Sequence, residues 1–153
     1  MRRHILAGAL AGAAGTTALN AVTYLDMALR GRPASSTPED SVEKLADSLQ
    51  VGIPGQGDTR ENRLSGLGAL SGLLTGASVG VAYGAAAGLL GRPPLRWGSL
   101  LAGGSAMVAA NGPMALSGIT DPRSWSAADW LSDVLPHAAY GVVTALTYEL
   151  ATG

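Results

Sequence analysis

The chain has 153 residues, a net charge of −1 and no cysteine, and only 14% of its residues are charged. The length fits one domain, residues 1–153, and the near-neutral charge provides no general attraction to nucleic acid. The absence of cysteine excludes disulfides, thiolate nucleophiles and iron–sulfur clusters. Because there are only two histidines, we expect no metal site, and no motif predicts a cofactor or a catalytic residue.

The charged residues are distributed unevenly. Four runs contain no Asp, Glu, Lys or Arg: residues 5–25, 64–91, 97–120 and 134–148. A membrane-spanning helix needs about 20 mostly apolar residues. Three runs reach that length, and the fourth does so if Glu149 lies at the membrane interface. The sequence therefore predicts an all-α fold, a four-helix transmembrane bundle with helices over residues 5–29, 64–90, 95–119 and 134–150.

Two other interpretations of the apolar runs are weaker. Arg2 and Arg3 before the first run resemble the start of a signal peptide, but the run is longer than a usual signal core and further runs follow. A soluble Ala- and Gly-rich helical protein should carry charged faces along its helices. These runs carry none, which favours the membrane interpretation.

The polar segment between the first two predicted spans contains a short amphipathic helix that begins near Thr37. Val42, Leu45, Ala46 and Leu49 fall on one face at helical spacing. We expect this helix to lie on the bundle or at the membrane surface. The glycine-rich residues 52–57 follow it as a loop. No strand precedes that loop and no Lys-Ser or Lys-Thr pair follows it, so it does not predict a phosphate cradle.

The second half of the chain resembles the first. A shift of 91 residues places residues 10–12 (Leu-Ala-Gly) on residues 101–103 and places Asn20 on Asn111. We predict a tandem duplication, repeat 1 at about 5–90 and repeat 2 at about 95–150, each built as span, acidic amphipathic helix and span. Two spans per repeat give both repeats the same direction. The distribution of arginine leaves the orientation open, and we favour termini on the inside.

The second predicted span carries a row of six glycines at a spacing of four. In lipid, helices associate through close backbone contact, which glycine permits. A spacing of four drifts by about 40° per step, so the two ends of the row can face different neighbours. The row predicts tight packing with a right-handed crossing near about −40°; self-association or a glycine-lined pore is the alternative. The predicted packing residues are Gly68, Gly72, Gly76, Gly80, Gly84 and Gly88, with Gly8 and Gly12 in the first span.

A few polar residues fall within or beside the spans. Asn20 and Asn111 lie near mid-membrane and are predicted to face inward, either holding helices together or flanking a central polar site. Asp26 is expected to pair with Arg30, and His137 with an acid one turn earlier; a proton-carrying role is the alternative for both. The tryptophans fall near span ends, as interfacial anchors do: Trp97, Trp125 and Trp130.

Residues 23–33 and 36–39, together with residues 111–114 and 120–123, resemble a pattern found in small actinobacterial membrane proteins whose function is not known. The resemblance covers most of the chain. It implies a bacterial plasma-membrane location and a multi-pass topology, and it carries no catalytic residue. The sequence as a whole predicts a non-enzymatic structural or assembly protein that packs on itself or in a larger membrane complex. The alternative is a small channel or transporter with a path lined by Asn20, Asn111 and the glycine row.

Overall fold

The computed structural model describes all 153 residues and is entirely helical, which confirms the predicted all-α class. It contains five α-helices and one 3-10 turn, Pro122–Ser124. The helices are α1 (Arg2–Arg30), α2 (Thr37–Ser48), α3 (Asp58–Leu90), α4 (Leu95–Leu116) and α5 (Ala127–Thr152).

The four long helices form a ring in which each helix packs against two others. Helix α1 contacts α3 and α5, α4 contacts α5 and, less extensively, α3, and α2 packs on α3. Neighbours in the ring are antiparallel, because α1 and α4 start at the end of the bundle where α3 and α5 finish. We call this end, which holds both chain termini, the terminal end. The opposite end, which holds α2 and the 3-10 turn, is called the α2 end.

Helix α4 ends at Leu116, three residues before the predicted end. Gly118 has φ 74°, and its amide donates to the carbonyl of Ala115, while the amide of Ile119 donates to the carbonyl of Met114. This pair of hydrogen bonds is a Schellman motif, in which a residue in the left-handed region closes the last turn. The predicted boundary at residue 119 was wrong because the apolar pattern continues past this stop.

Helix α5 begins at Ala127, well before the predicted start at residue 134. Ser126 and Asp129 form a capping box: the serine hydroxyl accepts from the Asp129 amide, and the Asp129 carboxylate accepts from the Ser126 amide. Hydrogen bonds from the Ser126 hydroxyl and amide hold the pKa of Asp129 below its ordinary value. The acidic segment that the duplication predicts as a separate helix is therefore the first part of α5. The duplication itself stays a prediction.

The predicted amphipathic helix is present as α2. Only Ala46 of its predicted apolar face is buried, whereas Leu45 and Leu49 remain about 60% exposed. The Lys44 ammonium donates to the carbonyl of Ser117, and Glu43 pairs with Arg60. These contacts attach α2 to the start of α3 and the end of α4 and leave a leucine edge uncovered.

The interior of the bundle is made of small residues and tyrosine, and the large aliphatic residues lie outside. The largest fully buried side chains are Tyr140, Tyr148 and Thr144. The remaining buried positions in the helices are mostly alanine and glycine. Leucines such as Leu90 and Leu116 are 87% and 93% exposed. This arrangement is the reverse of a soluble core, in which leucine and valine are preferentially buried.

Two helices, α1 and α3, are long and apolar enough to cross a membrane, with mean hydropathies of 1.5 and 1.6 in their most apolar 18-residue windows. Only 33% and 22% of these windows are buried in the bundle, so they differ from the largely buried core helix of a soluble protein. Helices α4 and α5 are also longer than 18 residues, but neither contains an 18-residue window that meets the same hydropathy criterion. A membrane association of the chain rests on α1 and α3.

Candidate functional site

Helices α1 and α3 meet through glycines. A Cβ atom at Gly80 would overlap the carbonyl oxygen of Gly8 and lie 2.5 Å from the Cα of Gly12. A Cβ at Gly84 would overlap the carbonyl oxygen of His4, and a Cβ at Gly76 would overlap the hydroxyl of Thr16. At Gly80 and Gly84 the two backbones therefore approach closely enough to exclude even a methyl group, and at Gly76 the Thr16 side chain occupies that space.

The glycine row changes neighbours along its length. Gly88 faces the imidazole of His4, with 2.9 Å between the ring and the position of a Cβ. At the other end a Cβ on Gly68 would lie 3.1 Å from Pro38 of α2, and between these regions Gly72 has no neighbouring atom within 4 Å. Gly72 is thus placed outside the close contact, although its spacing in the sequence is the same.

A second close contact joins α4 and α5, and the sequence analysis missed it. A Cβ at Gly141 would overlap the carbonyl oxygen of Ser99 and lie 2.8 Å from the amide nitrogen of Gly103. The signal was present as small residues at a spacing of four, Ser99 and Gly103 in α4. It was less conspicuous than the six-glycine row because it contains only one glycine in α4.

Two buried tyrosines of α5 bond across the bundle to glycine carbonyls of α3. The Tyr140 hydroxyl donates to the carbonyl of Gly76 at 2.6 Å, and the Tyr148 hydroxyl donates to that of Gly84 at 3.3 Å. The same separation of 64 residues in both pairs shows that α3 and α5 run parallel. The imidazole of His4 adds a 2.6 Å hydrogen bond to the Tyr148 hydroxyl. The tyrosines were also missed, since a tyrosine within an apolar run shows no pattern that predicts a partner.

Replacing Tyr140 with phenylalanine should lower the free energy of unfolding by about 0.6–1.7 kcal/mol, the range for hydrogen bonds between membrane helices. The ring remains and only the hydroxyl that reaches Gly76 is lost. SDS titration of the detergent-solubilised protein, followed by circular dichroism, measures the change. Tyr24→Phe is the matched control, because Tyr24 is 62% exposed. Equal effects of the two substitutions would contradict a role for the Tyr140 hydroxyl.

The predicted polar residues divide into separate places. The Asn111 amide donates to the Asp133 carboxylate at 2.9 Å. His137, which is buried, has its Nδ1 2.7 Å from the backbone carbonyl of Asp133 and 3.4 Å from the carboxylate. The structure thus brings Asn111 and His137 together around Asp133. Asn20 is half-buried on α1 and takes no part in this cluster.

Asp26 belongs to a different cluster at the α2 end, between α1 and α5. Its carboxylate accepts hydrogen bonds from Arg32 at 2.5 Å, from Ser132 at 3.2 Å and from Arg30 at 3.4 Å. The Arg30 guanidinium also donates to the Ser132 hydroxyl at 2.6 Å. The predicted ion pair with Arg30 is present. Arg32 and Ser132, which the sequence analysis did not connect with Asp26, complete its shell.

Each of these clusters joins two helices at a particular position along the bundle. Asn111 and Asp133 join α4 to α5, the Asp26 cluster joins α1 to α5, and the tyrosines join α5 to α3.

No family model, curated protein or solved structure matches the chain.

Proposed function

We propose that the chain is an integral membrane protein of a bacterial plasma membrane with four spans, α1, α3, α4 and α5, and a structural or assembly role. The observation that carries the proposal is the inverted distribution of side chains: tyrosine, alanine and glycine inside, and leucine and valine outside. In water this surface would expose many large apolar side chains, whereas soluble monomers rarely expose large contiguous apolar patches. In lipid it needs no partner, and glycine contacts supply the packing that holds such helices together.

The polar residues within α4 and α5 are compatible with spanning. Asn111 and Asp133 bond to each other, and His137 lies beside them, so polar groups in these two helices face protein partners. Asp129 lies before the predicted span, at the α2 end. Trp97 at the terminal end and Trp130 at the α2 end are 53% and 40% exposed, at the heights where interfacial tryptophans anchor spans.

The two ends of the bundle differ in charge. Of the ten basic side chains, four lie at the terminal end, and of the eleven acidic ones only Glu149 does. The α2 end holds six basic and ten acidic side chains, so most of its positive charge is locally offset. A count of basic residues alone slightly favours the α2 end as the cytoplasmic one. We nevertheless place the terminal end in the cytoplasm, because an N-terminal tail with two arginines is unfavourable to translocate. The four terminal-end arginines are Arg2, Arg3, Arg92 and Arg96.

The assembly role is supported by how the polar side chains are used. The groups that could take part in chemistry are engaged in contacts between helices, as described for Asp26, Asp133 and Tyr148. The alternative of a path along the glycine row has no specific support, because Gly76, Gly80 and Gly84 are covered by α1. A test of that alternative is reconstitution in vesicles, with Asn20→Leu and Asn111→Leu expected to abolish any flux.

Membrane fractionation tests the proposal directly. The expressed chain should remain in the membrane pellet through an alkaline carbonate wash and should be released only by detergent, because its apolar surface faces lipid. Native purification in mild detergent with mass measurement should then give a defined assembly, either several copies of the chain or a complex with another membrane protein. A soluble monomer in the absence of detergent would overturn the membrane proposal, and a monomer in detergent without any partner would overturn the assembly role.

A further inference from the structure

An open cleft of about 290 Å³ lies between α1 and α5 at the α2 end. Polar and apolar side chains line it in a definite order. Arg30, Asp26 and Ser132 lie at the α2 end of the cleft, whereas Val22 and Leu135 lie one helical turn nearer the middle of the bundle. In the membrane orientation proposed above, the polar part of the cleft lies at the interface and the apolar part lies in the hydrocarbon region.

The polar part of the cleft has spare hydrogen-bond donors and few spare acceptors. The Asp26 carboxylate already accepts from Arg30, Arg32 and Ser132. Each guanidinium carries five N–H donors. Arg30 uses only Nη1 within the protein, and Arg32 uses Nε for Asp26 and Nη1 for the carbonyl of Pro33. The remaining donors of Arg30, whose side chain is 43% exposed, are free to bind an anionic oxygen.

We propose that this cleft binds a phospholipid, with the lipid phosphate at the free donors of Arg30 and one acyl chain along Val22 and Leu135. A phosphodiester offers the acceptor oxygens that a guanidinium fork recognises. The order of the lining residues matches the order of a lipid, in which the phosphate lies at the interface and the chains point inward. The proposal rests on the membrane location proposed above.

The acidic groups nearby do not occupy the free donors. Asp26 lies on the inner side of the Arg30 contact, and Asp129 is engaged by Ser126. Because Asp26 holds both guanidiniums in place, the donors are positioned before the lipid arrives, which limits the entropy lost on binding. Asp26 is thus a positioning residue for the proposed phosphate site.

Lipid titration with native mass spectrometry tests the site. The probes are phosphatidylglycerol, whose headgroup presents a phosphate and no cation, and diacylglycerol with the same acyl chains. The wild-type protein in mild detergent should retain one phosphatidylglycerol in preference to diacylglycerol. Arg30→Gln should weaken that binding by about tenfold, equivalent to about 1.4 kcal/mol. Val22→Trp, which fills the apolar part of the cleft, should weaken binding of both lipids.

Arg123→Gln is the matched control, because Arg123 is an exposed arginine at the same end of the bundle and outside the cleft. It should leave phosphatidylglycerol binding unchanged. If Arg30→Gln does not fold, Ser132→Ala tests the site by removing the hydroxyl that accepts from Arg30 and holds its guanidinium in place. Equal retention of the two lipids, or binding that neither Arg30→Gln nor Ser132→Ala weakens, overturns the lipid site. In that case a protein that still requires detergent leaves the membrane proposal standing, whereas a soluble protein overturns both.

Discussion

Gly80→Leu should lower the free energy of unfolding by about 1–3 kcal/mol, the usual effect of overpacking a tight contact. Even the first carbon of the new side chain would overlap the carbonyl oxygen of Gly8, and backbone atoms of Gly12 lie next to it. Backbone cannot move aside as a flexible side chain can, so α1 and α3 must separate and lose contact along their shared length. SDS titration of the detergent-solubilised protein, followed by circular dichroism, measures the shift.

Gly72→Leu is the matched control, since Gly72 belongs to the same row and has no atom within 4 Å of an added Cβ. Leucine forms helix better than glycine by up to about 1 kcal/mol, so this substitution should be neutral or stabilising. The difference between the two variants isolates the packing effect from the helix-propensity effect. If both variants unfold at the wild-type SDS concentration, the α1–α3 glycine contact does not stabilise the bundle.

The positions of the helices could be predicted from the sequence, but several of their ends could not. Charge-free runs show which residues suit lipid, whereas a helix begins and ends where its terminal amides and carbonyls find partners. Helix α3 starts at Asp58, before its apolar run, and places Asp58 and Glu61 in its first turn, where acids suit the helix dipole. The capping box at Ser126 likewise starts α5 before its apolar run. Both features are local and polar, so hydropathy does not detect them.

The neighbours of each glycine were harder to predict than the row itself. Gly72 and Gly76 are equivalent by spacing, yet one is exposed and the other excludes even a methyl group. The difference depends on where α3 crosses α1, and that position follows from three-dimensional packing. Asn20 and Asn111 illustrate the same limit: they match in the proposed repeats, but only Asn111 has an acid opposite it, Asp133 of α5.

Gly141→Leu should also lower the free energy of unfolding by about 1–3 kcal/mol, through the contact between α4 and α5. An added Cβ would overlap the carbonyl oxygen of Ser99 and lie 2.9 Å from the Cα of Gly103. The same SDS titration measures the effect. Gly104→Leu is the control, because Gly104 is the exposed neighbour of Gly103 and has no atom within 4 Å of an added Cβ. Equal stability of the Gly141→Leu and Gly104→Leu proteins would contradict the role assigned to Gly141.

Combining Gly80→Leu with Gly141→Leu tests whether the two glycine contacts act independently. The backbone atoms nearest Gly80 belong to α1, and those nearest Gly141 belong to α4, so the two positions share no contact partner. Effects at sites without shared partners usually add to within about 0.5 kcal/mol. Additive destabilisation therefore describes a bundle made of two glycine-packed pairs, α1 with α3 and α4 with α5. If the double variant loses much less stability than the two single variants together, disrupting one pair must already weaken the other. The contact of α1 with α5 would transmit that effect.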